Sequence, residues 1–315
     1  MTEPHNISDT YSSVYQGLGN VQVDVGIVHL VRAQNGIEPF RRFLDSHLLC
    51  PGGIPHDLLV VYKGFDTPDG ERLYAEAETL RKAHLARLPQ ICGRSIGSDT
   101  LRIRDYGLDI NAYDAAARHF ERRYLCFLNS YTELCDEYWL RKLTTHIISP
   151  GVGVVGATTS WETFVPPLAA ERARLDRRDL FSRTRGYLRL TYQRLRFPAF
   201  PNPHVRTNGF ILARANLLQL RGTRPRTKWG AWNFENGRGN MTQQLMRRGL
   251  RPLLVGRDGI GYEIADWPHT NTFRQGNQSN LLMIDNRTRD FANGTPEERR
   301  KLWEFAWQGA AIPPE

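Results

Sequence analysis

Apolar, β-branched runs separated by segments of helical period are the feature that most restricts this chain. Val21–Val31 (VQVDVGIVHLV), Asp57–Tyr62 (DLLVVY), Tyr124–Leu128 (YLCFL) and Val152–Ala157 (VGVVGA) have the composition of strands covered on both faces. Leu101–Tyr106 adds a shorter one. Between the strands the period changes to that of a helix. In Pro39–Leu49, the residues Phe40, Phe43, Leu44 and Leu48 share a face, and Ala75–Leu88, Asn111–Arg123 and Tyr138–Ile148 also read as helices. Strands alternating with helices predict an α/β fold, a mostly parallel sheet flanked by helices.

Beyond Ser160 the pattern is less regular. Arg172–Arg196 is dense in arginine interleaved with Leu, Phe and Tyr, and reads either as a solvated excursion or as an anion-binding flank. Pro198, Pro201 and Pro203 interrupt the chain before a strand at Thr207–Ala213. Phe234–Arg248 reads as one helix stopped by Gly249, followed by a strand at Leu250–Val255. Thr295, with Glu297 and Glu298 behind it, caps a last helix over Pro296–Gln308. Residues 1–20 are polar and read as a flexible lead-in. One domain with an elaborated second half is the simplest organisation.

Charge narrows the partners. Lys and Arg number 42 against 33 Asp and Glu, a formal net charge of +9. That balance suits nucleic acid, an anionic membrane face or a phosphorylated small molecule. No apolar run approaches the roughly 18 residues that span a bilayer, and the start, MTEPHNISDTYSS, lacks the blocks of a secretory signal. The chain therefore reads as soluble and cytoplasmic. Cys50, Cys92, Cys126 and Cys135 are scattered without a CxxC pair and read as free thiols. The nine histidines form no H-E-x-x-H.

An open parallel sheet binds ligands beyond the carboxyl ends of its strands. There the first strand meets Arg32-Ala33-Gln34-Asn35-Gly36, without the glycine spacing of a dinucleotide or P-loop fingerprint. YLCFL runs into Asn129-Ser130-Tyr131-Thr132-Glu133, and VGVVGA into Thr158-Thr159-Ser160-Trp161-Glu162. These polar clusters stand where a sugar or nucleotide would be held. The succession VDVGIVHLVRAQNGIEPFRRFLDS, HDLLVVYKGF, YGLDINAYDAAARHFERRYLCFLNSYTEL and GVGVVGATTSWE resembles a GT-A glycosyltransferase. It is most similar to the bacterial family-2-like enzymes that build surface polysaccharides. HVRTNGFILAR, NFENGRGNMTQQLMRRGLRPLLVGRDG and WPHTNTFRQGNQSNLLMIDNRT extend the likeness over roughly residues 22–290.

The resemblance implies a GT-A-like (Rossmann-like) sheet. Residues 21–160 would form a nucleotide-sugar-binding half, 161–290 an acceptor and catalytic half of the same domain, and 291–315 a C-terminal helix and tail. It implies a hexosyltransferase-like enzyme that moves a sugar from a nucleotide-sugar donor to a saccharide or lipid-linked acceptor hydroxyl with inversion. Glu235 falls where such enzymes carry their base, with Asn236 in place of a second acid; Glu263 and Asp266 stand as alternative bases. Arg32, Asp109, Asn129, Ser130, Tyr131, His269, Arg274 and Gln278 are the expected donor contacts, with Asn280 beside them. Thr159, Trp161, Asn208 and Asn236 are the expected acceptor-side residues. Asp109 equally suits the cap of the helix behind it.

The family usually places an acidic D-x-D pair after the strand that here is YLCFL. Asn129-Ser130-Tyr131 replaces it, and neutral oxygens are weak ligands for a hard cation. No cofactor is therefore required, although Glu133 leaves room for Mn²⁺ or Mg²⁺. The basic balance also fits peripheral contact with an anionic inner membrane face, with Trp303 and Trp307 in the tail. Two further readings remain: a non-catalytic nucleotide-sugar- or saccharide-binding module of this fold, and a basic nucleic-acid-binding protein, although no nucleic-acid-binding motif is present.

Overall fold

Ile27 and Val31 face one side of the first strand, Val28 and Leu30 the other, and all four are buried. That alternation requires cover on both sides, which the rest of the chain supplies. The computed structural model describes residues 23–92, 96–166, 168–177 and 179–314; the expected lead-in over residues 1–20 lies outside them.

The first half runs β1 (Val25–Arg32), α1 (Glu38–Leu49), β2 (Asp57–Lys63), α2 (Pro68–Cys92), β3 (Ser98–Ile103), α3 (Asp109–His119), β4 (Tyr124–Leu128), β5 (Glu133–Leu134), α4 (Trp139–Ile147) and β6 (Val152–Gly156). The second runs β7 (Thr159–Ser160), α5 (Leu168–Asp176), α6 (Leu180–Arg196), β8 (His204–Val205), β9 (Gly209–Ala213), α7 (Arg214–Leu218), α8 (Lys228–Asn236), α9 (Met241–Met246), β10 (Arg251–Val255), β11 (Gly261–Tyr262), β12 (Met283–Ile284), α10 (Asn286–Ala292) and α11 (Pro296–Trp307).

Eight strands form one sheet in the order β11-β10-β6-β9-β4-β1-β2-β3. It is the mostly parallel, helix-flanked sheet expected from the sequence; β9 runs antiparallel to β4 and β6, and β11 antiparallel to β10. Phe40 and Phe43 of α1 and Leu140 and Leu143 of α4 pack on one face. Ile110 and Tyr113 of α3, Phe234 of α8, Leu245 of α9 and Trp307 of α11 pack on the other. Strands from both halves of the chain share this sheet, so the two halves meet along it.

Several elements depart from expectation: β3 spans Ser98–Ile103 rather than Leu101–Tyr106, and α3 ends at His119 rather than Arg123. α2 starts at Pro68 rather than near Ala75, because Thr67 Oγ1 accepts from the Gly70 amide and Pro68 occupies the first turn. The single helix expected over Phe234–Arg248 is two. α8 ends at Asn236, where Gly237 leaves the helix with ψ 178, and α9 restarts on Asn240, whose side chain accepts from the Gln243 amide. Glu235 consequently lies in the last turn of α8, not at a helix start.

Candidate functional site

The direction of β9 makes the site. Because it runs against β4 and β6, its leading residues Thr207 and Asn208 lie at the same edge as the carboxyl ends of the parallel strands. A cleft of about 580 Å³ opens there. Asp109 enters it from the start of α3, Asn129 from the end of β4, Glu162 from beyond β7, and His204 and Arg206 from β8 and its exit. Glu235 and Asn236 come from the end of α8, Arg274 from the loop before β12, and Asp285, Asn286 and Arg287 from the start of α10. Phe164, Trp232 and Phe305 supply an apolar wall. Gly209 lets Met283 lie directly against β9, which brings Asp285 to the strand ends.

Two glutamates line this cleft in opposite environments. Burial pushes the Glu235 carboxyl above its ordinary value, against a 2.7 Å hydrogen bond donated by Thr207 Oγ1 and the attraction of Arg206. Burial acts on Glu162 in the same direction but is outweighed by Arg206, His204, Arg274 and Arg287, which hold its carboxyl below the usual value. Arg206 Nη1 stands 3.7 Å and Arg274 Nη1 3.9 Å from the Glu162 carboxylate. At those distances the cations are neighbours rather than hydrogen-bonded partners. His204 donates from Nδ1 to the Asn202 carbonyl at 2.8 Å, which leaves Nε2 facing Glu162 at 4.0 Å. One carboxylate is kept charged and the other is eased towards its neutral form, the separation that divides acid–base roles in active sites.

Arg274 is held deliberately. Its guanidinium and that of Arg206 lie over the ring of Phe273, at 4.7 and 3.7 Å from the centroid. Burial and the neighbouring Arg206 lower the Arg274 pKa to about 10. Asn271, Arg274 and Gln278 all adopt left-handed backbone, with φ of 53, 54 and 57°. Gln275 Oε1 accepts from the Thr270 and Asn271 amides, and Gln278 Oε1 from the Arg274 amide. Strain of this kind persists where surrounding bonds over-determine it. One buried and one half-buried guanidinium with one carboxylate beside them leave positive charge for an anionic group.

The expected donor residues separate into three groups. Asp109, Asn129 and Arg274 line the cleft. Arg32 sits behind it, its guanidinium 3.2 Å from Asp105 and 3.9 Å from Asp109. Burial raises the Asp109 carboxyl while Arg32 and Lys63 oppose the rise. Ser130 is buried, Tyr131 accepts from Arg289 through its carbonyl, and Gln278 donates to the Thr288 carbonyl; none of the three lines the cleft. His269 is exposed and also lies outside it, as does Asn280, which donates to Asp258 and Thr270.

On the acceptor side, Asn208 and Asn236 line the cleft. Thr159 is buried beneath it, and Trp161 packs between Phe200 and Trp307. Glu263 pairs with Arg251 and Asp266 is exposed, so neither alternative base reaches the cleft. Trp307 is buried, donating from Nε1 to the Phe273 carbonyl, and the tail does not present it to any surface.

The donors for a metal do not assemble. Glu133 is engaged by Arg42 at 2.8 Å and Arg289 at 2.6 Å, away from the cleft. Beyond β4, the Asn129 amide faces Asp285 at 3.4 Å, one carboxylate beside one neutral side chain. Among the described residues, no group of three His, Cys, Asp or Glu side chains is placed to hold a metal ion. This donor set does not fit a dedicated hard-cation site.

Sequence reasoning passed over His204, Arg206, Thr207, Asp285 and Arg287 as site residues. The signal for Asp285 and Arg287 was present as a helix start (Asp-Asn-Arg-Thr) after an apolar stretch, and the structure shows that capping box at α10.

No protein-family model matches the chain, and no curated protein matches its sequence. Among solved structures, it is similar to a mannosyltransferase from Pyrobaculum calidifontis in complex with GDP-Man and Mn²⁺. Identity is 12% and the TM-score 0.43, covering 82% of this chain and 64% of that one. It is also similar to glucosyl-3-phosphoglycerate synthase from Mycobacterium tuberculosis in complex with UDP, at 12% identity and a TM-score of 0.33, over 70% of this chain and 65% of that one. The chain thus spans less than two thirds of the length of these two structures.

Proposed function

We propose that the protein is a glycosyltransferase that moves a sugar from a nucleotide-sugar donor to an acceptor hydroxyl, by direct displacement with inversion. The observation that carries this reading is the pair Glu162 and Glu235, pushed in opposite directions within one cleft at the carboxyl ends of the strands. Glu235 takes the proton of the acceptor hydroxyl as that oxygen bonds to the anomeric carbon. The bond from that carbon to the diphosphate breaks, and the leaving oxygen keeps the electron pair. A base works best with a pKa near the working pH, which is the direction in which burial moves Glu235. Arg206, Arg274 and Arg287 stabilise the departing diphosphate, as preorganised cations do at a developing anion. Glu162 holds two of those guanidiniums in place until the donor arrives.

Asp109, at the start of α3 and backed by Arg32 at the end of β1, receives the nucleoside portion. Asn129, Asn208 and Asn236 contact sugar hydroxyls, and the acceptor is a saccharide or a lipid-linked saccharide. A binding module of the same fold is the second reading, favoured by Asn129-Ser130-Tyr131 standing in place of an acidic pair. Denaturation midpoints with nucleoside diphosphates and nucleotide sugars, GDP-Man and UDP among them, test the donor with Mn²⁺ and with EDTA. A ligand at about 100 times its Kd stabilises the fold by about 2.7 kcal/mol. Glu235→Gln should keep that stabilisation and lower the transfer rate by about 10²–10⁴-fold. Stabilisation without transfer by the unmodified chain favours a nucleotide-sugar-binding module; no response to any nucleotide overturns the transferase and leaves a saccharide-binding module.

A further inference from the structure

The arginine-dense segment that the cleft does not use forms α6, and its exposed surface has a definite pattern. Phe181, Leu188 and Leu195 recur every seven residues and are 78%, 68% and 72% exposed. At about 100° per residue they fall on one line along the helix, with Leu180, Thr184, Thr191 and Tyr192 beside them. Arg185, Arg189 and Arg196 border this stripe on one side, while Arg183 and Arg194 lie round towards the Leu190 face. Within α6 there are five arginines and no acid. Leu190 is the buried residue that fixes the opposite face, and Gly186 rests against Leu175 of α5. An exposed apolar stripe on an arginine-rich helix is the form of one that lies in a lipid–water interface.

The end of α6 leads to the cleft. Arg238 donates to the Arg194 carbonyl, and its amide donates to that of Arg196. Tyr192 meets Trp229 edge-on at 5.8 Å, Trp229 meets Trp232 at 5.1 Å, and Trp232 meets Phe164 at 5.1 Å. Phe305 closes the series, 6.4 Å from Phe164. A run of rings therefore connects the exposed stripe with the apolar wall of the cleft.

We propose that α6 seats the protein on an anionic lipid surface, with its leucine and phenylalanine stripe entering the interface and its arginines meeting the headgroups. Resting on the glycosyltransferase reading, the ring series from Tyr192 to Phe164 then takes the apolar tail of a membrane-resident acceptor towards Glu235. Charge complementarity selects this occupant. A second copy docked through the same face would set arginine against arginine, because α6 has no acid to answer them. Single-stranded nucleic acid needs successive aromatic platforms along the groove, whereas Phe181 and Tyr192 stand towards opposite ends of the stripe with Leu188 between them.

Flotation of the full chain with vesicles tests the seat. The protein should float with equimolar phosphatidylcholine–phosphatidylglycerol and stay behind with phosphatidylcholine alone. Each arginine near an anionic surface strengthens binding by about fivefold, so R185Q with R189Q should weaken it by about 25-fold. L188E with L195E should abolish flotation while the denaturation midpoint and its response to nucleotides stay unchanged. The nucleotide response keeps the two proposals separable, because its loss in the unmodified chain would sink the transferase reading and leave the lipid seat standing. Absence of flotation with anionic vesicles overturns the seat. So does flotation that the leucine pair does not alter, a dimer in solution that the same pair dissociates while flotation persists, or tighter binding to single-stranded RNA than to vesicles.

Discussion

Thr207 Oγ1 donates a 2.7 Å hydrogen bond to Oε1 of Glu235, from the residue pair that leads into β9 to the last turn of α8. The bond favours the charged carboxylate and works against the burial that raises its pKa. Thr207→Val removes the donor and keeps the volume. The acid limb of the kcat/KM profile should then move to higher pH, by about one pH unit, since one hydrogen bond is worth about 1 kcal/mol. An unmoved limb would mean that Glu235 is not the group titrating in the free enzyme.

Glu162 is the only carboxylate placed within 4.0 Å of Arg206, Arg274 and His204 among the described ion pairs. Glu162→Gln leaves buried Arg274 and half-buried Arg206 without the carboxylate that lies nearest to both. Breaking a buried pair in this way costs about 3–5 kcal/mol, and the denaturation midpoint should fall accordingly. Inorganic pyrophosphate should restore more stability to the variant than it adds to the unmodified protein. Equal responses would show that these arginines do not receive the diphosphate.

Asn129→Asp would place a second carboxylate beside Asp285, where the amide now stands 3.4 Å away. Two like charges at that separation destabilise the fold, and a divalent cation between oxygens relieves them. The variant should be less stable than the parent in EDTA and regain stability with Mn²⁺, whereas the parent should be indifferent. A parent that gains as much from Mn²⁺ as the variant does would place a cation in the cleft already.

Three histidines far apart in sequence form a relay between α1, α2 and the start of β2. His56 Nδ1 lies 2.8 Å from the Ile54 carbonyl and must donate, so its Nε2 accepts from His47 Nε2 at 3.1 Å. His47 Nδ1 then accepts from His84 Nε2 at 2.9 Å. Burial lowers the pKa of all three, that of His84 to about 4. In the unfolded chain these groups bind protons at higher pH than in the fold, so stability is complete above pH 6.5 and declines as pH falls towards 4. His84 alone accounts for about 3 kcal/mol across that window. Urea midpoints should drop between about pH 7.5 and about pH 5, and His84→Gln should flatten the slope. A slope unchanged in that variant would assign the acid sensitivity elsewhere.

Local pattern was enough to locate most of the sheet. YLCFL matches β4 residue for residue, and β2, β6 and α1 differ from expectation by one residue at an end, because their periodicity is a property of contiguous residues. The break at Gly237 escaped a reading of helical period, since Asn240 can cap α9 only once the chain has turned. Ser130, Tyr131, Gln278 and His269 had suitable chemistry in suitable loops, yet Ser130 and Gln278 are buried in the scaffold, His269 is exposed to solvent, and Tyr131 does not line the cleft.

By itself, then, the sequence determined the alternation of strands and helices, the polar loops at the strand ends and the candidacy of Glu235. The first two rest on spacing and composition over a few residues, the last on the family resemblance. Only the tertiary structure decided that Glu162, His204, Arg206 and Arg274 meet as one charged cluster, that Asp285 stands beside Asn129, and that Trp307 is buried while Leu188 and Leu195 are exposed. Electrostatic interaction depends on separation in space and on removal from water, and neither quantity can be read from separation along the chain.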